Sequence, residues 1–88
     1  MGKTKISVIG LGFVGLPLAV SNAKKKFMTV AVDNNQSKIN NLKQSKIDFF
    51  EPHLDSMLKS TIKSNKIEFT TNIKDAINKT DITFLTVG

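Results

Sequence analysis

The chain has 88 residues, with 13 lysines and no arginine against 7 acids, a net charge of +6, and no cysteine, tryptophan or tyrosine. That length allows one small domain burying only about 60–65% of its unfolded surface, and the absent cysteine excludes a disulfide framework, a thiolate metal site and a cysteine nucleophile within these residues. The single histidine, His53, cannot build a metal site alone, and no apolar run approaches the ~20 residues of a membrane span.

Met1-Gly-Lys-Thr-Lys5 enters an apolar strand at once, expected over about Lys5–Ile9, without the apolar core and cleavage site of a signal peptide. A cytoplasmic protein is the expectation. The strand Ile6-Ser-Val-Ile runs directly into Gly10-Leu-Gly12-Phe-Val-Gly15, which opens an apolar helix expected from near Gly12 to about Lys25. In that spacing the three glycines do different things. Gly10 allows the tight turn, Gly12 the approach of backbone to a pyrophosphate, and Gly15 the close packing of helix on sheet. The free N–H groups and positive dipole end of the helix then suit phosphate. Val14, Leu18 and Ala19 are expected to face the sheet, and the nearly all-round apolar run from Phe13 to Val20 predicts a largely buried helix. Pro17, placed in the second turn, would leave the Phe13 carbonyl without its donor, an interior defect of ~3 kcal/mol. Lys24, Lys25 and Lys26 close the helix at its negative end.

Thr29–Asp33 reads as a second strand ending in an acid. Asp33 lies 18 residues past Gly15, close to the spacing at which a carboxylate accepts hydrogen bonds from a ribose diol. A carboxylate there favours NAD over NADP, whose extra phosphate would meet like charge; Asn34 and Asn35 supply no arginine to reverse this, although Lys38 is placed to reach a phosphate. A helix is expected from roughly Asn35 to Lys43, with Ile39 and Leu42 inward. Asp48-Phe-Phe-Glu-Pro52 interrupts the pattern, and Pro52 suits the first position of a further helix carrying Leu54, Met57, Leu58, Thr61 and Ile62 at helical spacing. Ile67–Thr70 alternates as a short strand. Asn72, with Asp75 three residues on, predicts a capped short helix with Ala76 and Ile77 inward. Asp81 introduces a last strand, Ile82–Val87, expected to be buried.

The remaining lysines are spread along helix surfaces and ends. Without arginines and the stronger stacking aromatics they make a solvated basic face rather than a nucleic-acid reader. Alternation of strand and helix with short connections predicts an α/β fold: a Rossmann-like, doubly wound, mainly parallel sheet of about four strands with helices on both faces. Right-handed crossovers place the second strand on one side of the first and the last strand on the other, with nucleotide at that reversal. Such a sheet would be incomplete, so residues 1–88 are expected to form the N-terminal part of a dinucleotide-binding domain in a longer protein. Plainer readings accompany each candidate: Phe13 and Val14 as packing residues, Lys38 as a solvated helix lysine, Thr83 and Thr86 as strand formers, Glu51 and Asp55 as helix-start acids, and Phe49 and Phe50 as core.

Val8-Ile-Gly-Leu-Gly-Phe-Val-Gly-Leu-Pro-Leu-Ala19 closely resembles the opening motif of the UDP-glucose/GDP-mannose dehydrogenase family, the nucleotide-sugar 6-dehydrogenases, in which the proline is ordinary. Val32-Asp33 with Lys38 resembles that family's ribose aspartate and accompanying basic residue. Glu51-Pro-His-Leu-Asp55 resembles its Glu-Pro-Gly-Leu segment, with His53 in the glycine's place, and Asp81-Ile-Thr-Phe-Leu-Thr-Val-Gly88 resembles the approach to its Val-Gly-Thr-Pro loop. The resemblance implies NAD as cofactor, with Gly10, Gly12, Phe13, Val14 and Gly15 at the pyrophosphate, Asp33 and Lys38 at the adenosine ribose, and Val87 and Gly88 near the adenosine. It implies a parent enzyme that oxidises the C6 alcohol of a UDP- or GDP-hexose to a uronic acid, for polysaccharide and cell-envelope precursors. That oxidation takes two NAD and proceeds on a catalytic cysteine helped by a lysine, an asparagine and an aspartate. No catalytic residue carries over to these 88 positions, and no metal is implied. A nucleotide-sugar substrate held by a further domain and a homo-oligomeric parent are implied too. Two other readings use the same glycines: a two-domain NAD-dependent dehydrogenase of β-hydroxyacid type, and a non-catalytic NAD-binding module.

Overall fold

The computed structural model describes residues 4–86. In chain order these form β1 (Lys5–Ile9), α1 (Gly15–Lys24), β2 (Met28–Val32), α2 (Gln36–Lys43), α3 (Leu54–Lys63), β3 (Ile67–Thr70), α4 (Ile73–Asn78) and β4 (Ile82–Leu85). The strands make one parallel sheet in the order β3-β2-β1-β4. The order reverses at β1, as right-handed crossovers require. Ile9 stands beside Val32 on one side and Leu85 on the other, so the C-terminal ends of β1, β2 and β4 meet at one rim.

Alternation along β1 sets the two layers. Ile6 and Val8 point to the face covered by α1, α2 and α3, where Leu11, Leu16, Ala19, Val20, Ala31, Ile39, Leu42, Leu54, Leu58 and Phe69 complete the larger core. Ile9 points to the opposite face and joins Val30, Val32 and Ala76 beneath α4. Ser7, fully buried on that same face, is satisfied by hydroxyls: its Oγ lies 2.8 Å from Thr83 Oγ1, and Thr80 Oγ1 donates to it at 3.0 Å.

Helices α1, α2 and α3 all end the same way. Lys26, Ser45 and Asn65, each just beyond the C-cap, are in the left-handed region (φ 73°, 62° and 58°). In each case that residue's N–H and the next one fold back on carbonyls of the last turn. Lys26 and Phe27 donate to Ala23 and Asn22, Ser45 and Lys46 to Leu42 and Asn41, and Asn65 and Lys66 to Ile62 and Thr61, all at 2.8–3.1 Å. This is the paired closure that glycine ordinarily permits, made here without glycine. At the other ends, Asn35 Oδ1 accepts from Lys38 N at 3.0 Å and Asn72 Oδ1 from Asp75 N at 2.9 Å. The Asp75 carboxylate does not complete a reciprocal box; it pairs with Lys79, and Asn72 N donates instead to Thr70 Oγ1.

Several expectations are corrected. Helix α1 begins at Gly15, so Pro17 is its third residue and lies in the first turn. Leu16 and Leu18 donate to the Gly12 and Val14 carbonyls, and the bond proline cannot make belongs to the exposed entrance at Phe13, where an interior penalty does not apply. Val14 is the N-cap and is 69% exposed rather than facing the sheet. Pro52 precedes α3 by two residues; His53, in the left-handed region with φ 68°, provides the turn into Leu54. Phe49 packs against the core, but Phe50 is 87% exposed. Ile77 is exposed because α4 is short and presents only Ala76 to the sheet. All four residues of β4 are exposed, since no helix packs extensively on that strand among the described residues.

Candidate functional site

At the rim where β1, β2 and β4 end, the chain leaving β1 is forced into a turn that only a few contacts define. Gly10, at φ 96°, donates its N–H to the Val32 carbonyl at 2.8 Å, continuing the sheet by one rung. An added Cβ at Gly10 would overlap the Thr86 carbonyl, and one at Gly15 would overlap the Gly10 carbonyl and crowd the Thr86 hydroxyl. Gly10 thus makes the turn, and Gly15 lets the start of α1 lie against it. Gly12 differs: a Cβ there would meet nothing within 4 Å, because its Cα opens onto the groove.

That groove has a volume of about 720 Å³ and is lined by the loop Gly10–Gly15 with Asp33, Lys38, Leu85 and Thr86. Among the described residues, the amides of Gly12, Phe13, Val14 and Gly15 have no hydrogen-bond partner, and α1 has neither a capping side chain nor an acid in its first turn. Unsatisfied donors and a positive helix end opening on a cleft make an anion receptor. The missing Cβ of Gly12 lets an oxyanion come up to the backbone itself.

Asp33 follows β2 and is half-buried at the groove edge. Its Oδ2 accepts from Leu11 N at 2.9 Å and its Oδ1 from Asn35 N at 3.0 Å. Each carboxylate oxygen can accept a second hydrogen bond, so the group both holds the loop and retains acceptor capacity toward the groove. Lys38, one turn into α2, donates from Nζ to the Leu11 carbonyl at 3.3 Å. On the rim, Phe13 is 77% and Leu85 70% exposed, and the Phe13 ring leans on Phe49 with centroids 4.7 Å apart.

Seven of the residues singled out from sequence, Gly10, Gly12, Phe13, Val14, Gly15, Asp33 and Lys38, therefore line one groove. Val87 and Gly88 lie outside the described residues. Three lining residues are not among the predicted site residues: Leu11, Leu85 and Thr86, the last read only as a strand former. Thr86 is the consequential one, for its Oγ1 donates to the Gly10 carbonyl at 2.6 Å, with the Ile9 carbonyl at 3.2 Å, and its N–H donates to the Ile9 carbonyl at 2.9 Å. The crossover rule, by setting the last strand beside β1, already brings residue 86 to the glycine turn, and that is the signal from which it could be found. Among the described residues no three His, Cys, Asp or Glu side chains gather as a metal site, and no helix is long and apolar enough to cross a membrane.

A parallel sheet reversing at β1, with a glycine loop, a bare helix start and an acid after β2 at the reversal, defines a dinucleotide-binding domain of Rossmann type. Comparison with known proteins agrees. The model of the UDP-glucose/GDP-mannose dehydrogenase family, NAD binding domain, matches residues 4–88. UDP-glucose 6-dehydrogenase of Rhizobium meliloti is 39% identical over 84 residues, 96% of this chain and 19% of its own length. Among solved structures, a UDP-glucose dehydrogenase from the hyperthermophilic archaeon Pyrobaculum islandicum superposes with a TM-score of 0.94 at 32% identity, covering 99% of this chain and 20% of that one. A GDP-mannose dehydrogenase from Pseudomonas aeruginosa superposes at 0.92 with 30% identity, covering 97% and 20%. The chain spans about a fifth of the length of the relatives it matches. It belongs to the UDP-glucose/GDP-mannose dehydrogenase family, as an NAD-binding domain, and its cofactor is NAD.

Proposed function

We propose that residues 1–88 are the N-terminal, adenosine-side part of the NAD-binding domain of a nucleotide-sugar 6-dehydrogenase. The parent enzyme oxidises the C6 alcohol of a UDP- or GDP-hexose to a uronic acid, a building block for polysaccharide and envelope polymers. The observation that carries this reading is the run of amides from Gly12 to Gly15, unpartnered among the described residues, opposite a carboxylate with acceptor capacity to spare. In it the amides of Gly12, Phe13, Val14 and Gly15 hold the diphosphate, and Gly10 shapes the turn that presents them. Asp33 accepts from the adenosine ribose hydroxyls without releasing Leu11, and Lys38 steadies the same edge. Bound NAD supplies the electron acceptor for each of two successive two-electron oxidations. Residues acting on the sugar are assigned to a separate part of the protein: these 88 residues contain no cysteine, and the matched relatives are about five times as long. A homo-oligomeric, cytoplasmic parent belongs to the same reading.

The test uses the protein encoded by the whole reading frame, supplied in turn with UDP-glucose, UDP-N-acetylmannosamine and GDP-mannose. One of the three is expected to yield two NADH per sugar consumed, read by absorbance against product quantified chromatographically. NADH formation with none of them, or one NADH per sugar, overturns the proposal.

A further inference from the structure

The Gly10–Leu11 peptide is gripped at both poles by side chains from opposite edges of the groove. Its carbonyl accepts from Thr86 Oγ1 at 2.6 Å, and its N–H donates to Asp33 Oδ2 at 2.9 Å. The next carbonyl, that of Leu11, accepts from Lys38 Nζ at 3.3 Å. The loop is tied down just ahead of its open amides, which have no partner among the described residues. Asp33 and Lys38 come from the β2 side and Thr86 from beyond β4, so the peptide plane is held across the full width of the sheet reversal. Rotating that plane would turn the following N–H groups away from a common point, so its orientation governs how well they converge on an anion.

We infer that Thr86 is a positioning residue for the cofactor diphosphate, acting through the Gly10 carbonyl. This rests on the reading that the Gly12–Gly15 amides hold the diphosphate of NAD. The hydroxyl is required, not merely a side chain of threonine's size. At 2.6 Å the Gly10 oxygen sits at hydrogen-bond distance, too near for a methyl group, and the Gly15 backbone closes the other side. Serine preserves the bond; alanine removes it and leaves a gap; valine forces the loop outward.

The experiment compares wild type, Thr86→Ser, Thr86→Ala and Thr86→Val in the protein from the whole reading frame. Affinities for NAD, ADP and adenosine are measured by calorimetry, and thermal melts are recorded in parallel. Losing one neutral hydrogen bond from a preorganised loop predicts a roughly five- to tenfold weaker NAD and ADP affinity in Thr86→Ala. The loss should be larger in Thr86→Val, and Thr86→Ser should lie within about threefold of wild type. Adenosine, which lacks the diphosphate, should bind all four alike, an outcome a general loss of stability would not produce. Either variant lacking the hydroxyl suffices if the other does not fold. NAD bound by wild type with equal affinity in the folded non-hydroxyl variants overturns the inference alone, as does a parallel loss for adenosine. Wild type failing to bind NAD or ADP overturns the underlying reading and this inference with it.

Discussion

Gly12 and Gly15 stand three residues apart in one motif yet answer to different constraints. A methyl group at Gly15 would drive into the Gly10 carbonyl, so Gly15→Ala should destabilise the fold by about 1–3 kcal/mol in urea titration. The same methyl at Gly12 would enter open groove. Gly12→Ala should leave stability within about 0.5 kcal/mol and weaken NAD binding at least tenfold by calorimetry. Asp33 combines both kinds of demand. Asp33→Ala removes the acceptor for the Leu11 and Asn35 amides, so a loss of about 1–3 kcal/mol in stability should accompany a roughly tenfold or greater loss of NAD affinity. Unchanged NAD affinity in that variant would remove Asp33 from the site. The glycines, Asp33 and Lys38 are legible as groove residues because their spacing along the chain sets them beside the ends of β1 and β2. Thr86 is not: its neighbours in sequence say only that it ends a strand, and its role arises from the register of β4 against β1.

At the level of elements, strands are legible nearly to the residue, because their apolar runs are short and sharply bounded. Helix starts are less so. Glycine in the motif invites a start at Gly12, whereas the regular turn begins only at Gly15, and Pro52 suggests a first helical position that His53 displaces. The helix ends carry no glycine to mark them, since Lys26, Ser45 and Asn65 occupy the left-handed position themselves. Each bears a steric penalty that glycine would relieve. Lys26→Gly should therefore raise stability by up to about 1 kcal/mol, measured by thermal or urea denaturation. At the C-cap of α4, Lys79 bridges Glu68 at 2.8 Å and Asp75 at 3.0 Å, and those two carboxylates raise its pKa above the ordinary lysine value. The folded state binds this proton more tightly than the unfolded chain. The stabilisation is thus complete below the ordinary lysine pKa and disappears as pH rises through the raised one. All three side chains are open to solvent, so the effect is small and screened. Lys79→Gln should lower the melting temperature slightly at low salt, with the difference closing near ~1 M salt.

For the whole molecule, the strand order follows from connection rules alone, but the solvent environment of β4 does not. Apolar composition predicts a covered strand, yet Ile82, Phe84 and Leu85 are 47%, 40% and 70% exposed along a sheet edge. An open edge carrying such residues invites pairing with another chain. The 88-residue polypeptide should accordingly elute at a larger apparent mass as its concentration rises in size-exclusion chromatography; elution independent of concentration would refute this. The bridging of the glycine turn by Thr86 also bears on biosynthesis. On a ribosome the glycine turn is made 76 residues before the Thr86 hydroxyl that donates to its Gly10 carbonyl. The turn therefore gains this hydrogen bond only after β4 has cleared the exit tunnel, and a nascent chain arrested before that point carries the glycines without it.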